Sequence, residues 1–206
     1  LIELPTNVAN ACYLPGSNVI NILAGTMAGG ALYDPEAPVE QNMAMLGVIV
    51  GHEISHGFDT TGYYFDKEGL PNSWWTSEDE LAFRDRADRL ANYYSTLSVL
   101  PNVSGGYNGK NVQGEAIADM GGVKVMLLMA EKIPDFDYEL FFTSFASLWR
   151  SQCDYFSEMQ NVDEEHPMDF LRTNVTLQQF EEFYQTFDIG PGDGMYLAPE
   201  NRVAVW

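Results

Sequence analysis

The sequence predicts a mainly α-helical fold with a small β element. Two long apolar runs, about Glu40 to His56 and Val112 to Glu131, read as helices. Thr76-Ser77-Glu78-Asp79-Glu80 and Thr176-x-x-Gln179 carry capping patterns that open two more. Alternation is weak and confined to the first residues, so little sheet is expected.

Taken in order, Asn7 to Tyr13 and Ser17 to Leu23 read as two short extended segments around a turn at Pro15-Gly16. Ala24 to Pro38 is rich in Gly and Pro and reads as loop. The first apolar helix follows, closed by Gly57. Thr60 to Trp75 is irregular, with a small hairpin over Tyr63 to Gly69. The helix opened at Thr76 runs to about Leu97 and carries Asp85, Arg86, Asp88 and Arg89 as a solvated face. Pro101 to Asn111 reads as loop, and the second apolar helix ends before Pro134. A helix over Tyr138 to Phe156 offers Phe141, Phe142, Phe145, Leu148 and Trp149 to the core. Asn161 to Asn174 reads as polar loop, the last helix reaches about Phe187, and the tail to Trp206 is irregular.

The 206 residues suffice for one domain, taken as residues 1–206. No run of eighteen or more apolar residues is present, so no membrane insertion is expected. No signal-peptide pattern opens the chain, and its start at Leu1 reads as an excised piece of a longer protein. A net charge of −20 argues against nucleic acid and leaves either a solvated acidic surface or a cationic partner. Cys12 and Cys153 allow one disulfide at most, and their pairing stays open.

The chemistry concentrates in Val48 to Asp59, VIVGHEISHGFD. His52 and His56 stand four apart, on one helical face, and can aim at one metal ion. Two imidazoles suit zinc, and Glu53 would stand beside the metal as a general base. Met43, Leu46, Val48, Ile49, Val50 and Ile54 make the helix apolar nearly all round, which predicts burial. Buried His and Glu need partners, and a metal ion is one; the bland alternative is a helix whose polar face happens to carry these residues. Glu115 and Asp119 share a face of the second apolar helix. Glu115 on the metal and Asp119 on a ligand imidazole would satisfy both. A helix N-terminus that tolerates acids through its dipole would also account for Glu115.

VIVGHEISHGFD followed by GEAIADMGG (Gly114 to Gly122) resembles the neprilysin and endothelin-converting enzyme family of zinc endopeptidases. Asn10-Ala11-Cys12-Tyr13, FDKEGLPNSWWT, His166-Pro167 with Arg172, and the terminal RVAVW are similar to further family stretches, in the same order. The resemblance covers nearly the whole chain. It implies a zincin, thermolysin-like catalytic domain with one zinc per chain, held by His52, His56 and Glu115, with Glu53 as general base and Asp119 orienting a ligand histidine. It implies that His166 donates to the oxyanion, that Arg172 contacts a substrate carbonyl, and that Asn10 and Ala11 hold peptide substrates along an edge strand. His166 and Arg172 read alone would be ordinary surface residues, and Asn10 a turn residue. Ala116 and Val203 depart from the family's Asn and Cys. With only two cysteines, this points to a bacterial member, cytoplasmic or secreted. LAGTMAGGALYD departs too, near a pocket. Family members carry a large N-terminal region absent here, which would be a partner in completing the cavity. Against this endopeptidase reading stand an exopeptidase with the same ligands and a non-catalytic metal-holding or peptide-binding fragment.

Overall fold

The computed structural model describes residues 5–100 and 107–206; the first part of the loop expected over Pro101 to Asn111 lies outside them. The expected β element is a two-stranded antiparallel hairpin, β1 (Ala11–Leu14) and β2 (Val19–Ile22). Ala11 pairs with Ile22 and Leu14 with Val19, around a 3-10 turn at Pro15–Ser17. A one-turn helix α1 (Ala24–Met27) follows where loop was expected.

The motif helix is continuous but not uniform. It comprises α2 (Val39–Asn42), a π turn over Met43–Gly47 and α3 (Val48–Ser55). It is not buried all round as its composition predicts. Val48 and Gly51 face the core, whereas Ile54 is 49% exposed, because one side of the helix looks onto open grooves. The small hairpin after it exists as a single bridge between Phe65 and Pro71, turned by Gly69 at φ +76°.

α4 (Ser77–Ser95) starts where the capping pattern places it, with the Thr76 side chain accepting from the Asp79 amide. Its charged face is not merely solvated. Arg86 donates to the Val205 carbonyl, and Arg89 to those of Glu200 and Arg202, pinning the tail. α5 (Gln113–Ala130) is the second apolar helix. α6 (Tyr138–Leu148) is shorter than expected. The chain leaves the helix at Trp149 and re-enters one only where Asp154 caps α7 (Tyr155–Asn161).

The polar loop expected over 161–174 is the clearest misreading, for α8 (Asp169–Leu177) occupies its second half. Leu171 and Val175 form its inner face, among polar residues that mask the period. Thr176 is therefore buried inside α8 rather than capping the last helix, α9 (Glu181–Phe187). One core joins Phe83, Leu90 and Tyr94 of α4, Ile117 and Val123 of α5, Phe141, Phe142 and Phe145 of α6, and Val203 and Val205 of the tail. Leu148 and Trp149 pack against this core half-buried and line a cleft as well.

Candidate metal centre and active site

The site is built where α3 crosses α5, the most extensive helix contact in the fold. Small residues let the two backbones approach. A Cβ on Gly51 would lie 2.9 Å from the Gly122 Cα, and one on Gly122 would lie 2.5 Å from the Val48 carbonyl oxygen. This close crossing brings the inner face of α3, with His52, onto Asp119 and Glu115.

Three candidate ligands converge there. The Nε2 atoms of His52 and His56 are 2.9 Å apart, and Glu115 offers Oε2 at 3.3 Å from the first and Oε1 at 3.4 Å from the second. The ligand atoms of these three residues all lie within 4.8 Å of one another. Each imidazole is oriented from behind by a carboxylate. His52 Nδ1 meets Asp119 Oδ1 at 2.9 Å, and His56 Nδ1 meets Asp59 Oδ2 at 2.7 Å. With both Nδ1–H groups donated in this way, the two Nε2 lone pairs point at each other. Such a pair needs a proton or a shared cation between them. Among the described residues, the buried Oε2 atoms of Glu53 and Glu115 have no hydrogen-bond partner. The donor set, two neutral imidazoles and a carboxylate with carboxylates behind them, fits a zinc ion with an open position.

Electrostatics agree with this geometry. Burial works against a charged His52, but its bonds to Asp119 and Glu115 outweigh it and raise its pKa to about 9. Burial would push Asp119 up; the Arg172 charge and the His52 bond instead hold it far below the usual carboxylate range. Burial likewise opposes ionisation of Glu115, yet His52 keeps its pKa low. Glu53 is raised, chiefly by burial, with nearby histidine charges working the other way.

The remaining expected residues gather around this centre. His166 is half exposed, and its Nε2 lies 3.2 Å from Glu115 Oε2. Its loop is pinned on both sides. Asn111 Nδ2 donates to the carbonyls of Asp163 and Glu164, and the Met168 amide donates to the Tyr107 hydroxyl. Arg172 is buried on α8 rather than free in a loop. It donates from Nε and Nη2 to both oxygens of Asp119, at 2.9 and 2.7 Å, and stacks 3.6 Å from the Trp149 ring centre. Asn10 and Ala11 enter β1 at the cleft. The Asn10 carbonyl accepts from the Leu23 amide and the Thr26 hydroxyl, so Asn10 faces β2. By the alternation of an antiparallel ladder, the backbone groups of Ala11 and Tyr13 face away from β2, along the open edge. The Ala11 amide meanwhile donates to the Asn10 side-chain oxygen at 2.8 Å.

Asp59 escaped the sequence reading. It stands three residues after His56 within the quoted motif, and its Oδ1 accepts the amides of Thr61 and Gly62. An acid one helical turn beyond a candidate ligand was the available signal. Trp149, expected in the core, packs at its edge, and the end of α6 turns its ring onto Arg172.

A profile of peptidase family M13 matches residues 10–203. The chain is 36% identical over 205 residues to a neutral endopeptidase of Lactococcus lactis, covering 99% of this chain and 32% of that protein. It is 33% identical to the human endothelin-converting enzyme-like 1, covering 98% of this chain and 27% of that one. Among solved structures it superposes on the Mycobacterium tuberculosis zinc metalloprotease ZMP1, determined with an inhibitor, with TM-score 0.93 at 27% identity, over 99% of this chain and 33% of the other. It superposes on PepO of Lactobacillus rhamnosis with TM-score 0.89 at 30% identity, over 98% and 32% of the two chains. The chain thus spans about a third of the length of the relatives it matches. With the match running through both motif helices and the helical architecture shared, this chain belongs to peptidase family M13, the family of zinc metallopeptidases that includes neprilysins and endothelin-converting enzymes.

Proposed function

We propose that these residues form the catalytic domain of a zinc-dependent endopeptidase that hydrolyses oligopeptides. The observation that supports it most is the facing pair of imidazole Nε2 atoms, with Glu115 beside them and the unpartnered Glu53 carboxylate next to the gap. His52, His56 and Glu115 would hold one zinc ion, with Asp119 and Asp59 fixing the imidazoles. Bound zinc supplies Lewis-acid polarisation of the scissile carbonyl and acidifies the attacking water.

The chain's own groups do the rest. Glu53 accepts a proton from the water and returns it to the leaving nitrogen; its burial-raised pKa suits both duties. His166, half exposed at the cleft mouth, donates to the carbonyl oxygen as charge builds there. Arg172 locks Asp119 through a two-point contact, and its Nη1, which has no partner among the described residues, is left to reach a substrate carbonyl. A peptide lies along the open edge of β1, meeting the backbone of Ala11 and the side chain of Asn10. No described helix is long and apolar enough to cross a membrane. The free Cys12 and Cys153 and the Lactococcus relatives support a bacterial protein, cytoplasmic or secreted. The remainder of a longer chain would complete the cavity.

Elemental analysis of the purified chain before and after chelation tests the metal. About one zinc per chain, lost with the chelator and restored by added zinc, is the expected outcome. Cleavage of end-blocked peptides by the zinc-loaded chain, abolished in Glu53→Gln, separates an endopeptidase from an exopeptidase. Zinc without cleavage would support a metal-holding fragment; no zinc would remove the proposal.

A further inference from the structure

The cleft extends to both sides of Glu53. One half, about 340 Å3, runs past Val48, Ile49, Leu148 and Trp149. The other, about 390 Å3, is lined by Cys12 and Tyr13, by Thr61 and Gly62, and by Glu165. Apart from the three imidazoles, the charged side chains lining this second half are carboxylates. Asp59 and Glu115 are engaged by the imidazoles, but Glu165 is not. Asp163 and Glu164 continue the acidic run, and all three carboxylates are exposed. Among the described residues, the one Lys or Arg ion pair that reaches this half is Arg172 Nη2 with Glu115, at 3.8 Å, and none reaches Glu165.

These acids are not a loose solvated tail. The two bonds from Asn111 Nδ2, at 3.0 and 2.8 Å, fix the backbone at 163 and 164, and the Tyr107 hydroxyl fixes it at 168. Glu165 is thereby held against the cleft. An independent feature marks this space as a ligand site: Glu53, only 5% exposed, lines it with a buried Oε2 that has no partner. Carboxylates gathered on one side of a cleft focus their field on whatever passes that side.

We propose that this half of the cleft selects peptides carrying lysine or arginine on the segment that passes Cys12 and Tyr13, with Glu165 contacting the basic side chain and Asp163 and Glu164 adding to the attraction. The inference rests on the peptidase reading for its ligand class. It gives the chain's strongly acidic balance a use at one defined place.

Peptide binding tests it without requiring turnover. End-blocked, fluorescently labelled peptides that differ only in Lys, Gln or Glu at successive positions are titrated against the zinc-loaded Glu53→Gln chain, at low and physiological ionic strength. At one or two adjacent positions, Lys should bind about fivefold more tightly than Gln at low salt, and Glu less tightly than Gln. Glu165→Gln should remove that preference and Glu165→Lys should invert it, whereas the distant Glu131→Gln should leave it unchanged. A preference untouched by Glu165→Gln, no preference, or no binding of any of the peptides would overturn the proposal. Cleavage by the Glu53-intact chain is measured in parallel. Cleavage without charge preference removes the selectivity alone, and charge-selective binding without cleavage removes the peptidase reading alone.

Discussion

Gly122→Ala tests whether the close crossing of α3 and α5 builds the metal centre. The added Cβ would stand 2.5 Å from the Val48 carbonyl oxygen and 3.0 Å from the His52 amide nitrogen. Both are backbone atoms, so no side chain can rotate away. Relief requires the helices to separate by roughly 0.5–1 Å. The cost in folding is modest. Overpacking removes about 1–3 kcal/mol, while exchanging Gly for Ala inside a helix returns up to about 1 kcal/mol. The site suffers more, because metal–ligand distances tolerate only about 0.2 Å. His52 and His56 ride on one helix and Glu115 on the other, so the separation enters the ligand geometry directly. We expect zinc affinity to fall roughly 10- to 100-fold, the scale found when ligand-orienting groups are disturbed. Competition with a chelating indicator measures it, and thermal melting of the metal-free protein measures the packing cost. Gly16→Ala, where nothing lies within 4 Å, is the control. Wild-type zinc affinity and wild-type melting in Gly122→Ala would refute the argument that this crossing sets the ligand positions.

Asp119→Ala should be far more damaging to folding than Gly122→Ala, because it leaves the buried Arg172 charge with only the Glu115 carboxylate at 3.8 Å, at about 3–5 kcal/mol by thermal or denaturant unfolding of the metal-free chain. Asp59→Ala should weaken zinc binding roughly 10- to 100-fold in the chelator competition while Asp66→Ala does not, since only Asp59 bonds to His56. Metal-free stability should depend on pH at both ends. The raised pKa of His52, about 9, contributes stability that is complete below its unfolded value and lost as pH rises through 9. The depressed Asp119 contributes stability present above its unfolded value and lost as pH falls toward its folded one. Melting temperatures across pH in chelator should therefore decline on both sides of neutrality; a flat alkaline limb would refute the His52 assignment.

Local signals in the sequence determined the hairpin near the start, the capped α4, the two apolar helices and the His-Glu-x-x-His face, because a cap, a period or an i to i+4 spacing needs nothing beyond its neighbours. The residue types for a metal site could be named for the same reason. Their meeting could not: His52 and Asp119 are joined only because Gly51 and Gly122 let two helices cross at backbone contact. α8 stayed hidden because polar residues, Arg172 and Thr176, share its buried face with Leu171, Val175 and Leu177, with Arg172 satisfied by an acid on another helix. Asp59 looked like an ordinary residue after a helix until the fold placed its carboxylate behind His56. Spacing along a chain determines which side chains share a face; only the packing of faces from distant segments decides which buried charges find partners, and there the chemistry of this protein is set.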